Sequence, residues 1–217
     1  MKGRERNSAF FQGKEVETSG SSGLSRLFKT ARETGKINLS GRSLTEIPDT
    51  VFMLASTLEE GDKFWEVNPL SRLDVASNLL KNIPDGKFDL IKTDLTYLKM
   101  KDNKLQSLPE DLFACAQLKY LDLSVNDLKT ISDSIGELIE LKELILTENK
   151  LTSLPISLSF CKSLQILALQ SNVLSRIPLA SLSLPQLLNL NLSSNRLAEI
   201  PTSISAMTNL GEPYLSV

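Results

Sequence analysis

The sequence predicts an α/β fold of solenoid type, with a curved parallel β-sheet on the concave side and short helical or 3-10 turns on the convex side. Three observations predict it. One apolar unit recurs seven times between Ile37 and Pro201, and repetition at a short period builds stacked coils instead of a closed globule. Each unit holds a period-2 stretch such as Leu121-Asp122-Leu123 or Leu144-Ile145-Leu146, whose leucines fall on one face of a strand and whose intervening residues fall on the other. Asn103, Asn126, Asn149, Asn172 and Asn195 follow one another at 23 residues; the steps from Asn78 to Asn103 and from Arg42 to Asn78 are 25 and 36, so insertions lie early and regular coils late.

Residues 1–23 lack apolar periodicity and end in Thr18-Ser19-Gly20-Ser21-Ser22-Gly23, a composition expected to stay disordered. Residues 24–35 read as an N-terminal capping helix: Leu24, Leu27, Phe28 and Ala31 share one face, and Gly35 stands at the αL position that ends a helix. Residues 36–217 form the repeat domain, with an insertion over 49–69 that carries Phe64 and the single tryptophan, Trp65. Trp65 is expected either to plug the outer wall of the first coil or to stand out as an anchor for a partner.

Within each coil the asparagine falls where the chain turns out of its strand, and a side-chain amide supplies donors and an acceptor for backbone groups cut off from water there. Asn78, Asn103, Asn126, Asn149, Asn172 and Asn195 are therefore expected to be a buried structural ladder. Arg42 takes that slot in the first coil. Pro48, Pro84, Pro109, Pro155, Pro178 and Pro201 close the successive units and stop extended pairing, with Ser132 in that place in the fourth. The stretches that follow them, such as 110–117 and 133–138, have room for one or two helical turns on the outer wall. At the far end Leu210 opens an eighth strand, but Pro213 stands at a ladder position and no further asparagine follows. The last repeat is expected to be truncated, with an edge open to self-association.

Composition narrows the function. Formal charge is −2 and the isoelectric point near 5.4, against the basic excess of a duplex nucleic-acid binder. The reading is no nucleic acid, no membrane span and no secretory signal, with a location in the cytoplasm or nucleus. Cys115 and Cys161 each precede a strand-opening leucine by three residues and lie two coils, about 10 Å, apart, so they are expected as buried free thiols. Asn38-Leu39-Ser40 and Asn191-Leu192-Ser193 match a glycosylation sequon by chance. Histidine is absent, which removes the commonest general base and the usual zinc ligand, and the ten glycines form no phosphate loop. The chain reads as no enzyme, with no catalytic residue, cofactor or metal.

The unit Leu-Pro-x-x-Leu/Ile-x-x-Leu/Cys-x-x-Leu-x-x-Leu-x-Leu-x-x-Asn-x-Leu resembles the leucine-rich repeats of intracellular Ras-suppressor-type proteins, including the Scribble and Shoc families, over roughly residues 37–215. A narrower likeness lies in 27–44 and in Phe64-Trp65-Glu66, which together look like the leucine-rich-repeat-containing protein 40 group. That group usually shows two tryptophans where Phe64-Trp65 stands. The resemblance implies a non-catalytic scaffold or adaptor that binds protein partners in signalling or complex assembly; the alternative is a regulatory subunit of an enzyme such as a small GTPase pathway component, a phosphatase or a ubiquitin ligase. The residues pointing off the inner wall locate the expected protein-binding centre at Arg72, Tyr97, Lys99, Lys101, Tyr120, Asp122 and Glu143, where charges surround two tyrosines in the same slot of adjacent copies. The later copies show small polar groups and Ile166. The same alternation of charge and aromatic residues also serves to stabilise a sheet.

Overall fold

A computed structural model describes residues 21–54 and 67–198. The calls on the tail before residue 21, on Phe64 and Trp65, and on the eighth strand from Leu210 lie outside the described residues.

Seven strands of three residues each, β1 (Lys36–Asn38), β2 (Arg72–Asp74), β3 (Tyr97–Lys99), β4 (Tyr120–Asp122), β5 (Glu143–Ile145), β6 (Ile166–Ala168) and β7 (Asn189–Asn191), form one sheet in chain order. Every pairing is parallel and in the same register, so Leu73, Leu98, Leu121, Leu144, Leu167 and Leu190 align across the sheet. All six are buried, as are Leu39, Val75, Met100, Leu123, Leu146, Leu169 and Leu192, which form the second apolar row two residues on. Identical coils stacked in register place leucine over leucine, and no coil buries its face without a neighbour.

Proline sets the outer wall. Pro109 and Pro155 sit at φ −71° and −70° with extended ψ, and each opens a 3-10 turn, Glu110–Ala114 and Ile156–Phe160. Ser132 adopts the same backbone at φ −60°, ψ 150° and accepts a hydrogen bond from the Ser134 amide, so the turn Asp133–Glu137 starts without proline. Further 3-10 turns span Phe88–Leu90 and Leu179–Leu182. With 23 residues per coil and three in the strand, no longer helix fits between proline and the next strand. Neighbouring turns are tied together: Asp111 Oδ2 accepts from the Phe88 amide of the preceding coil at 2.6 Å.

At the first coil, helix α1 (Ser21–Thr34) packs Leu24, Leu27, Phe28 and the fully buried Ala31 against the core beside β1. Gly35 ends it at φ +64°, its amide donating to the Ala31 carbonyl, and a Cβ there would stand 2.4 Å from the Pro69 carbonyl oxygen. Left-handed backbone and the close approach together require glycine. A second short helix, α2 (Asp49–Phe52), buries Val51 and sets Phe52 edge-on to Phe88 at 5.8 Å, joining adjacent coils across the outer wall.

Candidate functional site

The asparagine ladder ties each coil of the inner wall to the one before it. Asn149 Nδ2 donates to the carbonyls of Leu146 and Thr147 in its own coil and of Leu123 in the preceding one, while its Oδ1 accepts from the Leu128 amide. Asn103, Asn126, Asn172 and Asn195 repeat that set one coil apart. Asn78 differs in accepting from both Arg42 and Leu44 amides, which replaces the missing asparagine of the first coil. Five of the six are buried and Asn195 is half-buried. The residue before each asparagine is left-handed, from Ser77 at φ 53° through Val125 at φ 56° to Ser194 at φ 55°. That kink turns the chain out of the strand while its amide still bonds the next coil.

On the concave face the strand registers bring the sequence-derived centre together. Arg72, Tyr97, Tyr120 and Glu143 are direct cross-strand neighbours. The two tyrosine rings stack with centroids 4.3 Å apart and planes 3° from parallel, and the Arg72 guanidinium carbon lies 3.6 Å from the Tyr97 centroid. The result is one cation-aromatic-aromatic column across three strands. Both faces of Tyr97 are therefore covered, by Arg72 from β2 and Tyr120 from β4. The Tyr120 hydroxyl is held well above its usual range, chiefly by burial and then by the Asp122 carboxylate, to which it donates at 3.4 Å.

Asp122 departs from the role expected of it. Only 4% exposed, its carboxylate turns back along its own strand, Oδ1 accepting from the Ser124 amide at 3.0 Å and from its hydroxyl at 2.6 Å. It positions Tyr120 and closes a turn; it does not present a free charge. Asn38 and Asn191 make the same turn with Ser40 and Ser193, and Asp74 makes it with the Ala76 amide. The recurring Asp/Asn-x-Ser tripeptide was the available signal. The two tripeptides that match a sequon belong to this set. Lys99 and Lys101, in contrast, have no carboxylate within ion-pair distance among the described residues, and Lys101 is exposed.

Two features of the wall lie outside the centre read from sequence, which noted only Ile166 among them. Ile145, Ile166 and Ala168 are half-buried on the concave side of β5 and β6, an apolar patch continuing from Glu143. One residue beyond the core leucines that follow Ile145 and Ala168, Thr147 Oγ1 and Gln170 Oε1 are buried without a hydrogen-bond partner. Their signal was only that apolar residues replace polar ones at wall positions of two adjacent copies.

Comparison with known proteins places this architecture. The family model described as leucine rich repeat matches residues 68–128 and 139–197. Cattle Toll-like receptor 10 is 30% identical over 129 residues, 55% of this chain and 15% of the receptor. Mouse leucine-rich repeat serine/threonine-protein kinase 1 is 40% identical over 73 residues, 33% of this chain and 4% of the kinase. The chain thus spans a small part of the curated relatives it matches. Among solved structures, the Arabidopsis thaliana receptor kinase GASSHO1 ectodomain, in complex with Casparian strip integrity factor 2, aligns at 28% identity and TM-score 0.63, covering 81% of this chain and 19% of that one. Toll in the Drosophila Toll–Spatzle complex aligns at 25% identity and TM-score 0.64, covering 83% and 26%.

Proposed function

The chain belongs to the leucine-rich-repeat family, and from that premise we propose that its concave wall is the docking surface of a non-catalytic scaffold or adaptor for protein partners in intracellular signalling or complex assembly. The observation that carries the reading is the Arg72–Tyr97–Tyr120 column. Large aromatics ordered in a stack on a solvent-facing sheet, with lysines beside them that form no ion pair among the described residues, have the composition of an interface centre, where few residues supply most of the affinity. Arg72, Tyr97, Lys99, Lys101, Tyr120 and Glu143 make the contact; Asp122 positions Tyr120. Two solved structures of this fold are of complexes, which supports a binding role for the fold.

The finer likeness to Ras-suppressor-type repeats and to the leucine-rich-repeat-containing protein 40 group, carried by the motif over 27–44, is part of the same proposal. So is a cytoplasmic or nuclear location, which the free buried thiols Cys115 and Cys161 favour. No helix among the described residues is long and apolar enough to cross a membrane.

The test is affinity capture with the full chain, followed by measurement of Kd for the partner identified. Tyr97→Ala with Tyr120→Ala weakens that partner more than tenfold, about 2 kcal/mol for a lost anchor, with little change in Tm. Asn191→Ala with Ser193→Ala leaves affinity unchanged. Binding that survives the tyrosine pair while Tm drops refutes a concave site; a captured partner whose own catalytic rate changes on binding assigns the chain as an enzyme's regulatory subunit.

A further inference from the structure

The concave wall is chemically graded, and the gradient specifies what it takes. Over β2 and β3 stand Arg72, Lys99 and Lys101, with Lys99 flanked in register by Asp74 and Asp122. Neither carboxylate forms an ion pair with Lys99: each accepts from the amide two residues on, and Asp122 is buried. Over β5 and β6 the wall becomes apolar at Ile145, Ile166 and Ala168, bordered by the unpartnered acceptors Thr147 Oγ1 and Gln170 Oε1. The tyrosine column runs alongside the lysines from β2 and ends at Tyr120 on β4, next to the apolar stretch.

We propose that the occupant is an extended segment of a partner protein running across the strands, with an acidic side chain over Lys99 and Lys101 and a large apolar side chain over Ile145 and Ile166. This rests on the concave-face reading above and names the partner's chemistry. Strands stack about 4.8 Å apart, so β3 to β5 and β6 is about 10 to 14 Å; an extended chain covers that in three to four residues. The motif is therefore Asp or Glu followed or preceded, three to four positions away, by Leu, Ile, Met or Phe. Single-stranded nucleic acid fits less well, because stacking platforms offer open ring faces and both faces of Tyr97 are occupied.

The experiment is selection of a displayed random 12-residue peptide library on the full chain, with the winning peptides remade, labelled and titrated by fluorescence anisotropy. The expected result is enrichment of an acidic residue three to four positions from a large apolar one. Lys99→Glu with Lys101→Glu then weakens the peptide more than tenfold, whereas Lys92→Glu with Lys162→Glu, the same charge change on the outer wall, shifts it less than twofold. Ile145→Asn with Ile166→Asn, which copies Asn191 and Asn189 from the last described coil and is checked for folding by its melting curve, weakens it to a similar extent. Peptides that need Tyr97 and Tyr120 but show no such spacing overturn the motif and leave the concave site standing. Peptides indifferent to Tyr97→Ala with Tyr120→Ala overturn both. No enrichment at all, or a labelled oligodeoxythymidine bound as tightly as the best peptide, also overturns the acidic-apolar segment.

Discussion

Val125 holds a backbone conformation that valine resists. At φ 56° it occupies the left-handed turn slot that Ser77, Asp102 and Ser171 fill in other coils, and a β-branched side chain there is a steric outlier. The asparagine that follows and the amide bond from Val125 to the Thr147 carbonyl hold it in place. Val125→Asn is expected to raise stability by about 1 kcal/mol, since asparagine tolerates this region; an unchanged or lower denaturation midpoint refutes the strain. The thiols make a second residue-scale prediction. Burial pushes Cys115 up to about 12, with Asp111 and Asp89 adding to it, and pushes Cys161 up to about 11, while Cys161 also donates to the Ile135 carbonyl. A thiol that holds its proton more tightly when folded contributes stability that is complete below the unfolded value of 9.0 and is lost as pH rises from there toward about 11 to 12. Folded protein at pH 8 is expected to be inert to a thiol reagent, with two thiols appearing on denaturation. Rapid reaction of the folded chain contradicts this burial.

Elements in this fold are stable only through their neighbours, so damage is local. Removing the Asn149 amide leaves the Leu128 amide of the preceding coil without a partner, while the carbonyls of Leu123, Leu146 and Thr147 each lose one donor and keep another, from Asn126, Asn172 and the Val125 amide. Asn149→Ala is expected to cost about 2 kcal/mol, within the range for one buried unsatisfied group. Amide exchange should rise first in β4 to β6 and last in α1; a uniform rise along the chain shows one cooperative block in place of neighbour coupling. The 3-10 turn Leu179–Leu182 carries a weakness of a different kind. Ser181 takes the core slot of Leu112, Ile135 and Leu158, fully buried, and its hydroxyl has no partner. Ser181→Ala removes a desolvated group without removing a bond, and a gain of about 1 kcal/mol is expected in urea denaturation. A loss of stability there shows that the hydroxyl is satisfied in solution.

The whole molecule is one apolar spine with a wall whose chemistry varies along it. The sequence by itself determined the coil count over the described region, the parallel order of strands, the leucines that face inward and the slots of Asn78 through Asn195. A period of 23 residues with period-2 leucines has one packing that buries every leucine, and register then follows from identity of the copies. The slots of Tyr97, Tyr120 and Arg72 were legible for the same reason. Only the tertiary structure decided what their side chains do. Tyr97 and Tyr120 share a slot, but their stacking and the seating of Arg72 depend on rotamers that adjacent strands impose on one another. Asp122 reads as an exposed acid in an alternating strand and is instead buried, because a short carboxylate gains more from the amide and hydroxyl of Ser124 than from solvent. Lys99, its partner in register one strand away, has a longer side chain and no carboxylate within ion-pair distance among the described residues. Composition and period state which residues line the wall. Whether each is spent inside the fold or left for binding is settled by distances of a few ångströms between coils, which one-dimensional spacing does not contain.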